Sequence, residues 1–278
     1  LGLIVAAIPL EEVRLADPAT GFGWQAPFVQ VFSLSYKPWH VIAALPNDQR
    51  ITTPLQDIDL GSGKLQGSLI VEPGTDLTLD RIAIVGDALT ATSSLGWRLK
   101  ADTARVATRQ DPSRENGHEI GVEVLGLTPD PALMAMVADT SDLPATVEIV
   151  KLDARAALTG PLDRTVGQNP PGLAGLEVRE GLIRWGDMLL FARGTVTAGP
   201  DGLAEGRIEI RVENWRKALP VALASGLLPP EMAQTMERGL ELLALQSGNP
   251  EVLNLPLAFQ QGRMSLGPLP LGPAPRMN

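Results

Sequence analysis

Short runs of β-branched and aliphatic residues, cut repeatedly by Gly, Pro, Asn or Asp, recur along most of this chain and constrain its fold more than any other feature. Such punctuation reads as strands joined by tight turns. Phe28–Ser35, Lys64–Glu72 and Leu77–Val85 have this texture, the last two separated by Glu72-Pro73-Gly74. In Glu119–Leu127 alternation puts Ile120, Val122 and Val124 on one side; in Trp97–Arg109 it does so for Trp97, Leu99 and Ala101. A period of two is that of a half-buried strand. His40–Leu45 and Gln49–Thr53 flank Pro46-Asn47-Asp48, whose turn chemistry predicts a hairpin. Leu1–Leu10 is apolar but too short to span a bilayer, and reads as a first buried strand rather than the tail of a removed anchor.

Helical signals are fewer. Pro129–Asp139 carries an early Pro and clustered Leu and Met, the pattern of a short helix. Strand texture resumes at Ala145–Leu152, with a partner at Ala154–Thr159. The loop Gly160–Gly172 holds three prolines and is the candidate internal boundary. Three strands follow, Leu176–Trp185, Met188–Ala198 and Leu203–Val212, the last two joined by the turn Gly199-Pro200-Asp201-Gly202. Asn214 is placed to cap a short helix through its side-chain oxygen, and Pro220 makes that helix short, kinked or restarted. Pro229-Pro230-Glu231 opens a longer helix, which Ser247-Gly248-Asn249-Pro250 stops. A last hairpin pairs Val252–Gln260 with Arg263–Leu266 through Gln261-Gly262, before an extended Pro-rich tail.

Strand, helix and hairpin thus occur in that order at Glu119–Thr159 and again at Leu203–Leu266. The fold expected is α+β, mainly β, a long curved antiparallel sheet with a few helices packed on one face. It is read as a single elongated domain over residues 1–278. Two pseudo-repeated halves, 1–160 and 173–278, each with a helix on its sheet, are joined by the Pro-rich loop. The competing layout is two separate α+β domains.

Composition narrows function mostly by exclusion. With 278 residues and a hydrophobic fraction of 44%, the chain can build a sizeable core, but only 4% is aromatic, so that core is aliphatic. The net charge is −9, and basic residues are scattered among acids, so no stripe is available to neutralise nucleic-acid phosphates or an anionic membrane. There are no cysteines, which removes thiol chemistry, disulfides and Cys-zinc sites; that is compatible with the cytosol and also suits an oxidising periplasm.

No catalytic motif stands out. His40 and His118 are the two histidines, in different segments and without a partner pattern; His118 falls in a polar turn. Gly61-Ser62-Gly63 lacks the spacing of a nucleophile elbow or a phosphate loop and reads as a loop or hairpin. Asp111, Ser113, Glu115 and Glu123 only approximate a calcium loop, and a solvated hairpin turn is the better reading. No metal or cofactor is expected, and the chain does not read as an enzyme. The one suggestive feature is an apolar helix stripe. Trp215, Leu223, Leu227, Met232, Met236, Leu240 and Leu243 could wall a groove between helix and sheet that holds an acyl chain. Ordinary core packing explains the same stripe.

The C-terminal third carries Gly181–Leu190 (GLIRWGDMLL), Ala192-Arg193-Gly194, Asp201-Gly202, Val212–Trp215 (VENW), 224–229 (ASGLLP), Leu255–Leu257 (LPL) and Leu266–Gly272 (LGPLPLG). Upstream stand 16–21 (ADPATG), Trp24, Ala26-Pro27, Tyr36–Pro38 (YKP) and Leu45-Pro46. Together these resemble DUF2125, a family of bacterial proteins, over nearly the whole chain. The resemblance implies an alphaproteobacterial, periplasmic protein held at the inner membrane by an N-terminal anchor; Arg outnumbers Lys here, as in GC-rich genomes. The strand-turn-strand style is also similar to that of AsmA-like envelope proteins linked to lipid transport.

Three functions are therefore weighed. The leading one is a membrane-tethered periplasmic protein that binds lipid or another acyl-chain ligand. The second is a non-catalytic envelope scaffold that recruits a protein partner at a sheet edge or through the tail. The third is a hydrolase.

Overall fold

The computed structural model describes residues 4–17, 20–34, 36–138, 141–226, 228, 230–246, 248–267 and 269–277, and the side chains of these except 4–7, 34, 232 and 246. It is mainly β, an antiparallel sheet of 16 strands with three α-helices, as the punctuated sequence predicts. By contacts the chain divides into two units: 1–128 with 160–170, and 129–159 with 171–278.

The first unit is a meander: β1 (Ile4–Asp17), β2 (Phe22–Leu34), β3 (Lys37–Leu45), β4 (Asp48–Thr52), β5 (Asp57–Gly61), β6 (Lys64–Val71), β7 (Leu79–Ser93), β8 (Arg98–Gln110) and β9 (Gly117–Leu127). The expected hairpin at Pro46-Asn47-Asp48 does not form. β3 pairs with β2 and β6, while β4 pairs with β2 and β5, so β3 and β4 run in line along one neighbour. Pro46 has no N–H to offer a ladder and is fully buried. Gln49 turns back to hydrogen-bond its carbonyl, Nε2 to O at 3.2 Å, and accepts the Trp24 indole N–H at 2.9 Å. Ser62-Gly63 is likewise a break between the in-line strands β5 and β6.

These breaks sit at one level of the sheet. The Ser62 N–H donates to the Asn47 carbonyl at 2.8 Å, and the Gly63 N–H to that of Asp87 at 2.9 Å. Beside them Ala88 has φ 50°, and further along Glu12 has φ 51° and Gly126 φ 62°. The same side stays apolar across the interruption: Leu89 beyond it lies over Gly86 before it, alongside Leu65. Among the described residues this unit has no helix; the helix expected at Pro129–Asp139 forms, but it falls in the second unit. β1 is a strand as expected, but Ile8 and Leu10 on it are exposed rather than buried.

The second unit opens with α1 (Pro131–Val137), capped by Asp130, whose Oδ1 accepts the Ala132 N–H at 2.8 Å. β10 (Val147–Leu158) is one strand where two were expected. The strand-helix-hairpin order therefore does not repeat. β11 (Leu173–Trp185), β12 (Met188–Ala198) and β13 (Ala204–Glu213) continue the antiparallel ladder, and β14 (Val252–Gln260) pairs with β13. Gly194 and Gly206 hold φ 155° and 138°, and a Cβ on either would strike the facing strand's backbone. β15 (Arg263–Leu266) follows the Gln261-Gly262 turn, both residues at positive φ, the signature of a tight hairpin.

Between β13 and β14 lie a 3₁₀ turn at Trp215–Lys217, α2 (Ala218–Ala224) and α3 (Ala233–Gln246). Asn214 does not cap through its oxygen. It adopts the left-handed conformation, and its Nδ2 donates to the Asp187 carbonyl at 2.7 Å. The Pro-rich tail is extended, and it is used internally. β16 (Leu269–Pro273) pairs with β15; the Ala204 N–H then donates to the Pro275 carbonyl and the Leu173 N–H to that of Met277, both at 2.8 Å.

Ala88 is exposed and pays the left-handed penalty of an L-residue, roughly 1–2 kcal/mol, which glycine avoids at some entropic cost. Ala88→Gly is expected to raise stability by about 0.5–1 kcal/mol, read as a higher urea midpoint at unchanged slope.

Candidate functional site

Of the helix stripe predicted from the sequence, Trp215 and Leu240 are buried in the core. Trp215 is 1% exposed, its indole N–H donates to the Pro250 carbonyl at 3.0 Å, and the Arg216 guanidinium lies 4.8 Å above its ring. Arg216 also reaches Glu241 at 2.9 Å and Glu251 at 3.1 Å, while Lys217 bridges Asp187 and Asp142 at 2.6 and 2.7 Å. Leu240 and Ala244, one turn apart on α3, are buried; α3 packs on β14 and α2, and α2 on α1. Leu223, Met236 and Leu243 are half-buried. Leu227 lies outside the described residues, as do Pro229, Ser247 and the Met232 side chain. A charge placed at Leu240 would therefore test folding rather than binding.

What the stripe reading missed is the sheet of the first unit. One row of directly opposed residues crosses seven strands: Ile8, Val31, Ala43, Gly67, Ile84, Val106 and Val122. Two residues along, on the same side, run Ser33, Val41, Leu69, Ile82, Thr108 and Ile120. Below the interruption the side continues as Leu15, Trp24, Ile51 and Ile58. The intervening row shows the opposite character, with Pro9, Gln30, Ala44, Gln66, Val85, Arg105 and Glu123. One side of this sheet thus carries no Asp, Glu, Lys or Arg in these rows, while the other carries the ion pairs Arg105–Glu123, at 2.9 Å, and Arg50–Asp59, at 2.7 Å.

Much of the charge-free side meets solvent: Ile8 is 54% exposed, and Leu10, Leu15, Leu69, Ile84 and Val106 are exposed too. Seven strands span roughly 29 Å, and a strand of β6's length about 26 Å, a projected face on the order of 750 Å². The largest apolar patch on an ordinary monomer is about 300–600 Å². The second unit has an equally charge-free side, such as Val150, Ile183, Leu190, Val212 and Leu253 in one row. There Val212 and Leu253 are buried, together with Ala154, Val178, Val196 and Phe259 on the same side.

The two histidines lie on different strands, β3 and β9. His40 Nε2 lies 2.9 Å from Ser68 Oγ on the polar side of the sheet. His118 is buried at the start of β9, not in a polar turn as the sequence suggests; burial pushes its pKa below the usual histidine value. Asp111–Asn116 is the expected hairpin turn, and Asp111 is buried within it, its Oδ1 accepting the Ser113 N–H at 2.9 Å. Among the described residues no three His, Asp or Glu side chains group as a metal site. Because the fold favours neutral His118, its stabilising effect is complete above about pH 6.5 and is lost as pH falls towards its lowered folded pKa. Wild type is expected to lose melting temperature between about pH 7 and pH 5, and His118→Gln to lose less over that range.

A family model described as an uncharacterized protein conserved in bacteria, DUF2125, matches residues 5–275. No curated protein and no solved structure matches the chain significantly. The chain belongs to the DUF2125 family.

Proposed function

We propose that this DUF2125 protein binds lipid or another acyl-chain ligand against the charge-free side of β1–β9, and works in the cell envelope by holding or passing that ligand. The observation that carries this reading is the row from Ile8 to Val122, apolar on all seven strands and exposed at Ile8, Ile84 and Val106. Removing apolar surface from water gains about 25 cal/mol per Å², so a face of this size has a strong drive to be covered. Alkyl chains fit because they ask for no hydrogen bond, and the two rows above the break offer only Ser33 and Thr108 hydroxyls. A non-catalytic role agrees with a surface built for dispersion contacts alone. The periplasmic location and the membrane tether rest on the DUF2125 resemblance, and the lack of cysteine suits that compartment.

Docking of a protein strand is the second reading. It is favoured by β1, which pairs with β2 on one edge only. It does not extend to the tail, whose backbone groups bond to Leu173 and Ala204.

Adjacent positions on β7 give a matched test. Ile84 and Val85 are each 39% exposed, on opposite sides of the sheet. Ile84→Asp is expected to cut lipid retention after vesicle incubation by about tenfold or more, since the charge must be desolvated under the ligand. Val85→Asp should bind as wild type. Equal retention by both variants, with both folded by circular dichroism, would sink the reading.

A further inference from the structure

We infer that this face takes lipids by their acyl chains alone, several chains side by side, and does not select among headgroups. The inference rests on the lipid-binding reading above. A headgroup-selective site needs a fixed charge or a spare hydrogen-bonding group at the mouth of the apolar surface. Here two polar residues on that side, Gln49 and Ser93, are already engaged. Gln49 is held between Trp24 and Pro46, and Ser93 Oγ donates to Gln56 Oε1, which also accepts the Trp97 indole N–H at 3.0 Å.

The charged residues in the row next to Leu15 and Ile51 belong to the other side. Arg14, Gln25, Arg50, Asp59, Thr92 and Arg98 form one cross-strand row, one residue out of step with the apolar row through Leu15, Trp24, Ile51, Ile58 and Ser93. Arg14, Gln25, Arg50 and Asp59 of this row help to line a concavity of about 380 Å³, in which Arg50 is paired with Asp59. A one-residue offset in a strand turns a side chain to the opposite face.

Dimensions set the number of chains. At the strand spacing of about 4.8 Å the face is roughly 29 Å wide, several times the width of one alkyl chain. A ligand with a single chain would leave most of it wet. A free fatty acid has the further disadvantage that its carboxylate finds no counter-charge there. The ligand class is thus a membrane lipid with two or more chains, its headgroup left in water.

The test incubates the delipidated chain of residues 1–278 with vesicles of equimolar phosphatidylcholine, phosphatidylethanolamine and phosphatidylglycerol of identical acyl chains, with oleate in a parallel sample. Native mass spectrometry and extraction then report number and kind. Expected are more than one phospholipid per chain, in vesicle proportions within about threefold, and weaker retention of oleate. Enrichment of one headgroup by about tenfold, a single lipid per chain, or preference for oleate overturns the inference while leaving lipid binding intact. No retained lipid of any kind overturns the lipid-binding reading and this inference with it.

Discussion

Register in the antiparallel ladder is the constraint on which this molecule depends. Successive side chains of a strand alternate between faces, so a slip of one residue would carry a whole apolar set to the opposite side. In the first unit seven strands must agree for Ile8, Val31, Ala43, Gly67, Ile84, Val106 and Val122 to share a face with no charge among them. The polar row between them is held in the same phase by pairs such as Arg105–Glu123. The breaks near Ser62-Gly63 and Ala88 would spoil this if they fell at different levels. Because neighbouring breaks hydrogen-bond to one another, the apolar side persists through them.

The two units solve the same problem differently. Each has a sheet with one charge-free side. In the second unit that side is buried at Val212, Leu253 and Phe259, and the chain supplies helices and a returning tail whose Ala274 joins the cluster of Val196, Ala204 and Phe259. In the first unit the described residues provide no helical layer, and apart from Val29 and Leu79 the large aliphatic side chains stay half-buried or exposed. An apolar side exposed at Ile8, Ile84 and Val106 in one unit, and one buried at Val212, Leu253 and Phe259 in the other, is the asymmetry behind the proposed ligand site.

Much of the architecture is legible in the sequence where local chemistry has one meaning. Met188–Ala198 and the hairpin at Gln261-Gly262 are read from alternation and turn residues, and the structure has them at those bounds. Pro46-Asn47-Asp48 shows where legibility ends. The same residues suit a reversing turn and a break within a strand, and only the long-range partners of β3 and β4 distinguish the two. The site was hidden for a related reason. Alternation reveals that one side of a strand is apolar, but nothing local says whether another layer of protein will cover it. The helix stripe drew attention because it is periodic, and periodicity is equally the mark of core, where Trp215 and Leu240 reside.

The interlocked breaks also limit how this chain can change in length. A residue lost from β7 beside Ala88 would separate Asp87 from Gly63 and put the remainder of that strand out of phase with β5 and β8. No neighbour could absorb the loss alone, since each is matched at that level to the next. Insertions and deletions are therefore expected in segments outside the ladders, such as Glu72–Thr78 or Gly160–Pro170. Strand lengths in the first unit are thus tied to one another, and aligned relatives should show gaps in the turns and constant spacing from Asp48 to Gly61.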